Sequence, residues 1–524
     1  MPLSYVAGAI EGSPDVYVRV EDEENGDYVT TADVALAARG LCAVRLDARD
    51  ALALVNGTST SAAVGSLAFY EAGQLAILSA CITALISEAM TARTEWSHQF
   101  LSDIRPHPGQ YEASHITRSF LRGSELVSGH GETVAGAGKL VERFEGALAQ
   151  DRYPLRTSPQ WLGPQFEDLL SAHSQIAVEL NSTSDNPSTD PKSGEVYSGG
   201  NFQATSVTSA VEKIRLGLQM VGKMLFSQTT EMLNHHMSSG LPANLAADDP
   251  SHSFCLKGLD INIAAYQSEL AFLANPVSNH VQSAEMHNQA INSLALLSSR
   301  YTFEAVELVA VMSASALYAA CQGVDLRVLH ATFVQKATTE VIALTETYLA
   351  QINGASACDR VSAEVFAEGA RVMRKTWWEH GSASFEKRCE QTAWAFVLNV
   401  AGLDLSSKSK THLMLPVESL NSIQGEVQKR LLSSFLAHRD RFLQSPTTAQ
   451  YLGRGTARLY TYVRQGLGVP MHQGLDDHPS AGQYQQQKTI GSRVSVIYEA
   501  IRDGSLFSEI VGSMDDLGLR SIPT

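Results

Sequence analysis

The chain has 524 residues, 44% of them hydrophobic and 18% charged, which fits a folded protein with a large core and excludes a disordered or fibrous one. With 55 acidic against 39 basic residues the formal charge is −16, which argues against nucleic acid or an anionic membrane as the main partner and leaves a small ligand or another protein. Cys42, Cys81, Cys255, Cys321, Cys358 and Cys389 are scattered with no C-x-x-C pair, so neither zinc nor a disulfide framework is expected, and a reducing, cytoplasmic setting fits.

The opening MPLSYVAGAIEGSPDVYVRV lacks the basic and apolar regions of a signal peptide, and its residues 16–20 alternate like a short strand. Helical period then dominates, over about 48–55, 65–93, 109–126, 134–148, 164–180, 203–237, 255–273, 280–322 and 328–352. Asn56-Gly57-Thr58 closes the first of these as a helix stop. Glu71 and Glu88 bracket an uncharged stretch that is short for a membrane span and interrupted by Gln74, Ser79, Thr83 and Ser87; it reads as a buried core helix. Loops rich in Gly, Pro, Asn and Asp separate the helices at 105–110, 152–160, 181–202 and 238–251, with a strand-like piece at 195–197. After Asp325 the composition shifts to mixed-charge helices, with Arg371, Arg374, Lys375, Glu379, Glu386, Lys387 and Arg388 close together, as far as about Pro446. The fold class expected is a mainly α bundle of long helices.

Residues 274–289, ANPVSNHVQSAEMHNQ, crowd polar groups at the entrance to an apolar stretch. A helix starting just after Pro276 would place Gln282, Glu285, Asn288 and Gln289 in one arc, with His287, Ile291 and Leu294 on the other side. Residues 290–322 carry only Arg300, Glu304 and Glu307 as charges, so a polar arc there needs partners or a ligand.

Several chemistries are excluded. GETVAGAGK at 131–139 has Thr133 where a phosphate loop needs its first Gly and is followed by Leu140, and there is no H-E-x-x-H or G-x-S-x-G. His280, Glu285 and His287 do not have a standard metal spacing, the adjacent His235 and His236 face different ways, and no metal is expected. Gln150 and Arg156 flank Tyr153 and Pro154 in QDRYPLR, where a guanidinium on a rigid loop suits a carboxylate and a structural ion pair serves equally well. Asn181 and Asn186 in NSTSDNP offer amides or caps, and Lys257 in FCLKG has the pattern of a snorkelling surface lysine.

In this order LALVNGTS, IRPHPGQ, QDRYPLRTSPQWLGP, ELNSTSDNP, YSGGNFQ, SSGLP and ANPVSNHVQSAEMHNQ resemble the histidine and phenylalanine ammonia-lyase family, most of all its fungal members. The resemblance runs from Pro2 to about Arg327. It implies a fumarase/aspartase-like helical core over 1–328, a helical shielding insertion over 329–448, and a C-terminal segment over 449–524 that returns to the core. It further implies deamination of L-phenylalanine to trans-cinnamate and ammonia, feeding phenylalanine catabolism or phenylpropanoid products, in a cytoplasmic homotetramer whose sites draw on three subunits. The family's electrophile is 4-methylidene-imidazol-5-one (MIO), made from an Ala-Ser-Gly tripeptide of the chain itself.

Carried over motif by motif, Asn56 would bond the electrophile and the substrate amine. Arg156 would clamp the carboxylate with Asn186 beside it, and Gln150 belongs to the same loop. Tyr153 would support the electrophile across a subunit interface, and Phe202 would pack against it. Glu285 would sit near the amino group with Asn288 next to it, and Lys257 would lie along the pocket. The sequence departs from the pattern in one respect: it contains no Ala-Ser-Gly. In the family the tripeptide precedes a stretch like PLSYVAGAI, so the chain is expected to be the part of a longer enzyme that follows the electrophile. A short product working with an N-terminal piece or a paralogue, and a non-catalytic oligomerisation partner, are the alternatives. Tyrosine ammonia-lyase and aminomutase activities are alternatives to the phenylalanine reading, because the segment with the base tyrosine and the specificity positions is not in this sequence.

Overall fold

The structure is a computed structural model that describes residues 2–22, 26–129, 140, 148–353, 363–402, 416–480 and 488–516. It is mainly α, as the periodicity predicts. In chain order the helices are α1 (Pro2–Ile10), α2 (Ala32–Ala38), α3 (Ala48–Asn56), α4 (Ser59–Ala89), α5 (Gln99–Asp103), α6 (Pro108–Phe120), α7 (Tyr153–Arg156), α8 (Ser158–Leu180) and α9 (Thr205–Leu233). They continue as α10 (Lys257–Leu273), α11 (Ala295–Asn353), α12 (Ala363–Glu379), α13 (Phe385–Val400), α14 (Val417–Gln444), α15 (Arg454–Thr461), α16 (Ile490–Arg502) and α17 (Ser505–Asp516). Two small antiparallel hairpins complete it, β1 (Tyr17–Val20) with β2 (Tyr28–Thr31) and β3 (Ser188–Thr189) with β4 (Val196–Tyr197).

Local chemistry sets several of the boundaries. Asp47 and Asp50 form a capping box at the start of α3; the helix ends at Asn56, where Gly57 turns to extended backbone while its N–H donates to Ala53 O, and any Cβ on residue 57 would lie 2.4 Å from that oxygen. Ser384 and Thr489 cap α13 and α16 by accepting from Lys387 N and Ser492 N. The helices expected over 280–322 and 328–352 are a single helix, α11. Gly323 does not break it; the glycine sits where Met232 Sδ and Ala89 Cβ would approach a Cβ to 2.8 and 3.0 Å, so it serves close packing. Helix α1 was not anticipated. The helix expected over 134–148 lies outside the described residues except for 140 and 148.

The chain divides into two compact units. The first comprises residues 1–71, 168–215 and 275–304. Its interior is formed where a Cβ on Gly65 would lie 3.1 Å from Val211 Cγ1, where Ser299 Oγ donates to Ser61 O (3.3 Å), and where Thr302 Oγ1 donates to Val211 O (3.1 Å). The second unit comprises residues 72–167, 216–274 and 305–524. Here the uncharged stretch after Glu71 is core, as expected: Ala80, Cys81, Ile82, Ala84, Leu85 and Ile86 are wholly buried. Helices α4 and α11 are long and apolar enough to cross a membrane by length and composition, yet their apolar windows are mostly buried in the fold.

Two further features hold the second unit together. Phe333, Trp377, Phe385, Phe396 and Phe435 pack as one aromatic cluster between α11, α12, α13 and α14. Fully buried Asp325 in the middle of α11 accepts from Thr448 and Tyr460 and is ion-paired with Arg464 at 2.6 Å.

Candidate active site

In the second unit the Gln150–Arg156 motif forms the short turn α7, preceded by a buried aspartate. Asp151 Oδ2 accepts from Arg93 N (2.7 Å) and Trp96 Nε1 (3.2 Å), and the Asp151 carbonyl accepts from Arg156 Nε (3.1 Å). Gln228, itself buried, donates to Pro154 O at 2.8 Å. Arg152 reaches the buried Glu231 at 3.3 Å and Met237 O at 3.0 Å. Burial raises the Glu231 pKa, and Arg152 opposes that rise. The turn is thus anchored by polar groups inside the unit, while Tyr153 is exposed with the Arg156 guanidinium 5.0 Å from its ring centre. With Nε committed, both terminal nitrogens of Arg156 have no hydrogen bond among the described residues. Gln150 is exposed beside it. Lys257 is exposed at the start of α10 and lies over Phe254 at 4.7 Å, as a snorkelling lysine does.

The first unit carries the other groups. Asn56 ends α3, and its amide has no hydrogen bond among the described residues. An ion pair from Arg49 of α3 to Asp185 links that helix to the NSTSDNP loop. Asn186 Oδ1 accepts from Gly199 N at 2.9 Å, and Asn201 Nδ2 donates to Thr183 O at 3.4 Å. These two bonds join the NSTSDNP and YSGGNF motifs on either side of the β3–β4 hairpin and place the exposed Phe202 at its base. Asn181 caps the end of α8 by donating to Ala177 O.

The stretch around Glu285 departs from expectation. It is not the start of a helix: after a single 3-10 turn at Ser278–His280 the chain forms an exposed loop, and α11 begins only at Ala295. Ala284 and Gln289 exchange two backbone hydrogen bonds (3.0 and 3.1 Å), so residues 285–288 form a hairpin tip. Glu285, Met286 and His287 have φ of 51°, 51° and 70°, in the left-handed region that costs an L-residue about 1–2 kcal/mol. Side-chain bonds offset that cost: Asn288 Nδ2 donates to Glu285 Oε2 (3.0 Å) and Ser283 Oγ pairs with His287 Nδ1 (3.0 Å). Gln282 and Gln289 therefore do not share an arc with Glu285, but Glu285 and Asn288 are together.

His235 and His236, expected to face different ways, have ring centres 3.8 Å apart because both lie beyond the end of α9, where helical geometry no longer separates neighbours. Among the described residues no group of His, Cys, Asp or Glu is arranged to hold a metal ion. A groove of about 1040 Å³ opens in the second unit beside Asp249, His252, His380 and Lys387, and none of the motif residues lines it. Asp151 and Arg152 lie within QDRYPLR, whose pattern did not reveal their bracing role, and Glu231 lies outside the motifs. The pair Glu212 and Arg215, 3.8 Å apart at i and i+3 on α9, was a spacing that the sequence did offer.

Comparison with known proteins identifies the family and the fold. The chain is 53% identical over 99% of its length, and 72% of the relative's, to a protein named phenylalanine ammonia-lyase from Cochliobolus lunatus. It is 42% identical, over 99% of its length and 71% of the relative's, to a protein named phenylalanine aminomutase (L-beta-phenylalanine forming) from Talaromyces islandicus. The crystal structure of phenylalanine ammonia-lyase from the yeast Rhodosporidium toruloides superposes with a TM-score of 0.86 at 38% identity, covering 98% of this chain and 75% of that one. The family model for aromatic amino acid lyases matches residues 1–347; the chain belongs to that family and, with relatives named phenylalanine ammonia-lyase at 52–53% identity, is a carbon–nitrogen lyase.

Proposed function

We propose that the chain acts as a phenylalanine ammonia-lyase, converting L-phenylalanine to trans-cinnamate and ammonia. The observation that carries this reading is the Arg156 guanidinium, fixed through Nε and open at both terminal nitrogens, a two-donor fork that fits a carboxylate. By the family resemblance Asn186 would stand beside the carboxylate, and Gln150 belongs to the loop that carries Arg156. Glu285 and Asn288, already bonded to each other, meet the substrate amine, where the protonation state of Glu285 governs departure of ammonia. By the family resemblance Phe202 would pack against the electrophile and Lys257 would lie along the pocket. Overall, the Cα–N bond breaks, a β-proton leaves, and the electron pair forms the double bond of cinnamate.

The residues that would hold the methylidene-imidazolone are present: the Asn56 amide and the Tyr153 hydroxyl have no hydrogen bond among the described residues. Its precursor is not, since no Ala-Ser-Gly occurs in these 524 residues. When bound, the group supplies the electrophile that makes the amine a leaving group. We propose that it reaches this site from outside the 524 residues, through a longer form of the chain or a partner subunit. The purified chain alone then releases no cinnamate from L-phenylalanine, followed by ultraviolet absorbance, whereas the chain extended to include the tripeptide, or mixed with a full-length relative, does. Turnover by the 524 residues alone would sink this part of the proposal.

A homotetramer is part of the same reading. Phe254, Ile261 and Phe272, the last two on one face of α10, are left 69, 65 and 75% exposed, more than a lone chain keeps in water at little cost. Light scattering tests it directly. A cytoplasmic setting is supported by the free thiols of Cys42, Cys81, Cys255, Cys321 and Cys389. A second reading as an aminomutase rests on the relative of that name; β-phenylalanine among the products would favour it, and coumarate from L-tyrosine would favour a tyrosine lyase.

A further inference from the structure

We infer that Glu212, flanked by Thr208 and Arg215 on α9, is the positioning residue of the loop that carries Glu285 and Asn288; this rests on the reading of those two residues as substrate-facing. Positions 208, 212 and 215 are spaced i, i+4 and i+7 and so share one helix face. All three reach the same loop. Glu212 Oε1 accepts from Val277 N (2.7 Å) and Ser278 N (2.9 Å), and Oε2 accepts from Ser278 Oγ (2.9 Å). Arg215, wholly buried, donates to Asn275 O (3.2 Å) at the loop's entry and to Ser298 O (2.9 Å), Ser298 Oγ (3.0 Å) and Thr302 Oγ1 (3.2 Å) beyond its exit. Thr208 Oγ1 donates to Ser293 O at 2.7 Å.

One face of one helix therefore holds both ends of the loop, and among the described residues no hydrogen bond from outside it holds its middle. Among the described residues, the hydrogen bonds of residues 281–292 stay within residues 280–292. The tip contains three successive left-handed residues, and Leu294 at the exit is a fourth at φ 51°. A strained, exposed segment keeps its conformation only when its ends are fixed. Glu212 is singled out because all three of its bonds are charge-assisted and go to the entry of the loop, whereas most bonds of Arg215 go to the helix beyond its exit. Arg215, 3.8 Å away, supplies its counter-charge and fixes the far end.

The test compares Glu212→Ala and Glu212→Gln in the full chain by amide hydrogen exchange, with kcat and KM for L-phenylalanine in the assembly that carries the electrophile. In Glu212→Ala, exchange at Val277 and Ser278 rises about tenfold or more and the rise extends to Asn288 and Gln289, while the amides of α4 and α9 keep their protection. In the active assembly kcat falls by about tenfold, and Glu212→Gln, whose carbonyl still accepts both amides, restores both readouts to within about threefold. If Glu212→Ala does not fold, Ser278→Ala, which removes the hydroxyl bond to Glu212, and Thr208→Val, which removes the bond to Ser293 O together with a longer one to Ala204 O within α9, are expected to loosen the loop in the same direction. Unchanged exchange at Asn288 and Gln289 in a folded Glu212→Ala chain overturns the proposal, and so does equal loss in the Ala and Gln variants. A loosened loop in a protein that shows no lyase activity in any assembly leaves the brace standing and refutes the functional reading instead.

Discussion

The Arg156 turn and the Glu285 loop present their polar groups in opposite ways. Around Arg156 the backbone is fixed from within: Asp151, Gln228 and the Arg152–Glu231 pair are buried or half-buried, and each touches the turn or its flank. Around Glu285 the tip stands in solvent with Met286 97% exposed, and its conformation depends on its own short-range bonds and on a clamp at its stem. A group that must grip a fixed carboxylate benefits from an internal anchor. If Glu285 meets the substrate amine as proposed, it does so from a segment held only at its stem, where a loss of support is expected to change its position more than the stability of the fold.

That contrast can be broken most directly at its buried end. Asp151→Ala leaves Arg93 N and Trp96 Nε1 without their acceptor and is expected to cost about 3 kcal/mol in urea unfolding, with Asp151→Asn milder; a cost under about 1 kcal/mol would mean that the turn is not anchored from within. The same interior should carry a pH signature through Glu88. Burial pushes its pKa up from 4.5 to about 7, with Oε1 accepting from Gly453 N and Oε2 lacking a partner among the described residues. Between those values the folded state keeps a proton that the unfolded chain has released, so stability falls as pH rises. The loss is roughly 3 kcal/mol across the window and persists above it. Glu88→Gln should flatten that slope, and an identical pH profile in the variant would refute the assignment.

The exposed end predicts smaller changes. Met286→Gly relieves a left-handed residue and should stabilise the chain by roughly 0.5–1 kcal/mol, a gain that thermal unfolding can register. Asn288→Ala should shift stability by no more than about 0.5 kcal/mol, since its bond to Glu285 lies in solvent. The same variant should lower kcat/KM in the active assembly by roughly tenfold. If the two effects of Asn288→Ala came out reversed, with stability lost and activity kept, the distinction between the regions would fail.

Much of the fold was legible because long helices write a 3.6-residue period into the chain, and α3, α4, α6, α8, α9 and α10 lie close to where that period puts them. The Glu285 stretch was misread for the same reason. Its polar residues imitate one face of a helix, while Ser283, Asn288 and Asn292 use their short side chains to bond locally and favour a hairpin. The break expected between helical stretches 280–322 and 328–352 does not occur, because Gly323 within it is a packing contact against Met232 and Ala89, which no single sequence can reveal. For the site, the motifs identified side chains but not their supports. Asp151 and Glu231 matter through bonds to groups far along the chain, and sequence spacing carries no trace of such partners.

Asp325 bears on how the molecule is made. Its partners Thr448, Tyr460 and Arg464 follow it by 123, 135 and 139 residues, so during synthesis the middle of α11 exists long before anything can neutralise it. Until Arg464 has left the ribosome, burying that helix means burying an unpaired carboxylate, at a penalty of several kcal/mol. The second unit therefore closes late, and a nascent chain arrested between these positions would be a substrate for chaperones rather than a shorter version of the native core.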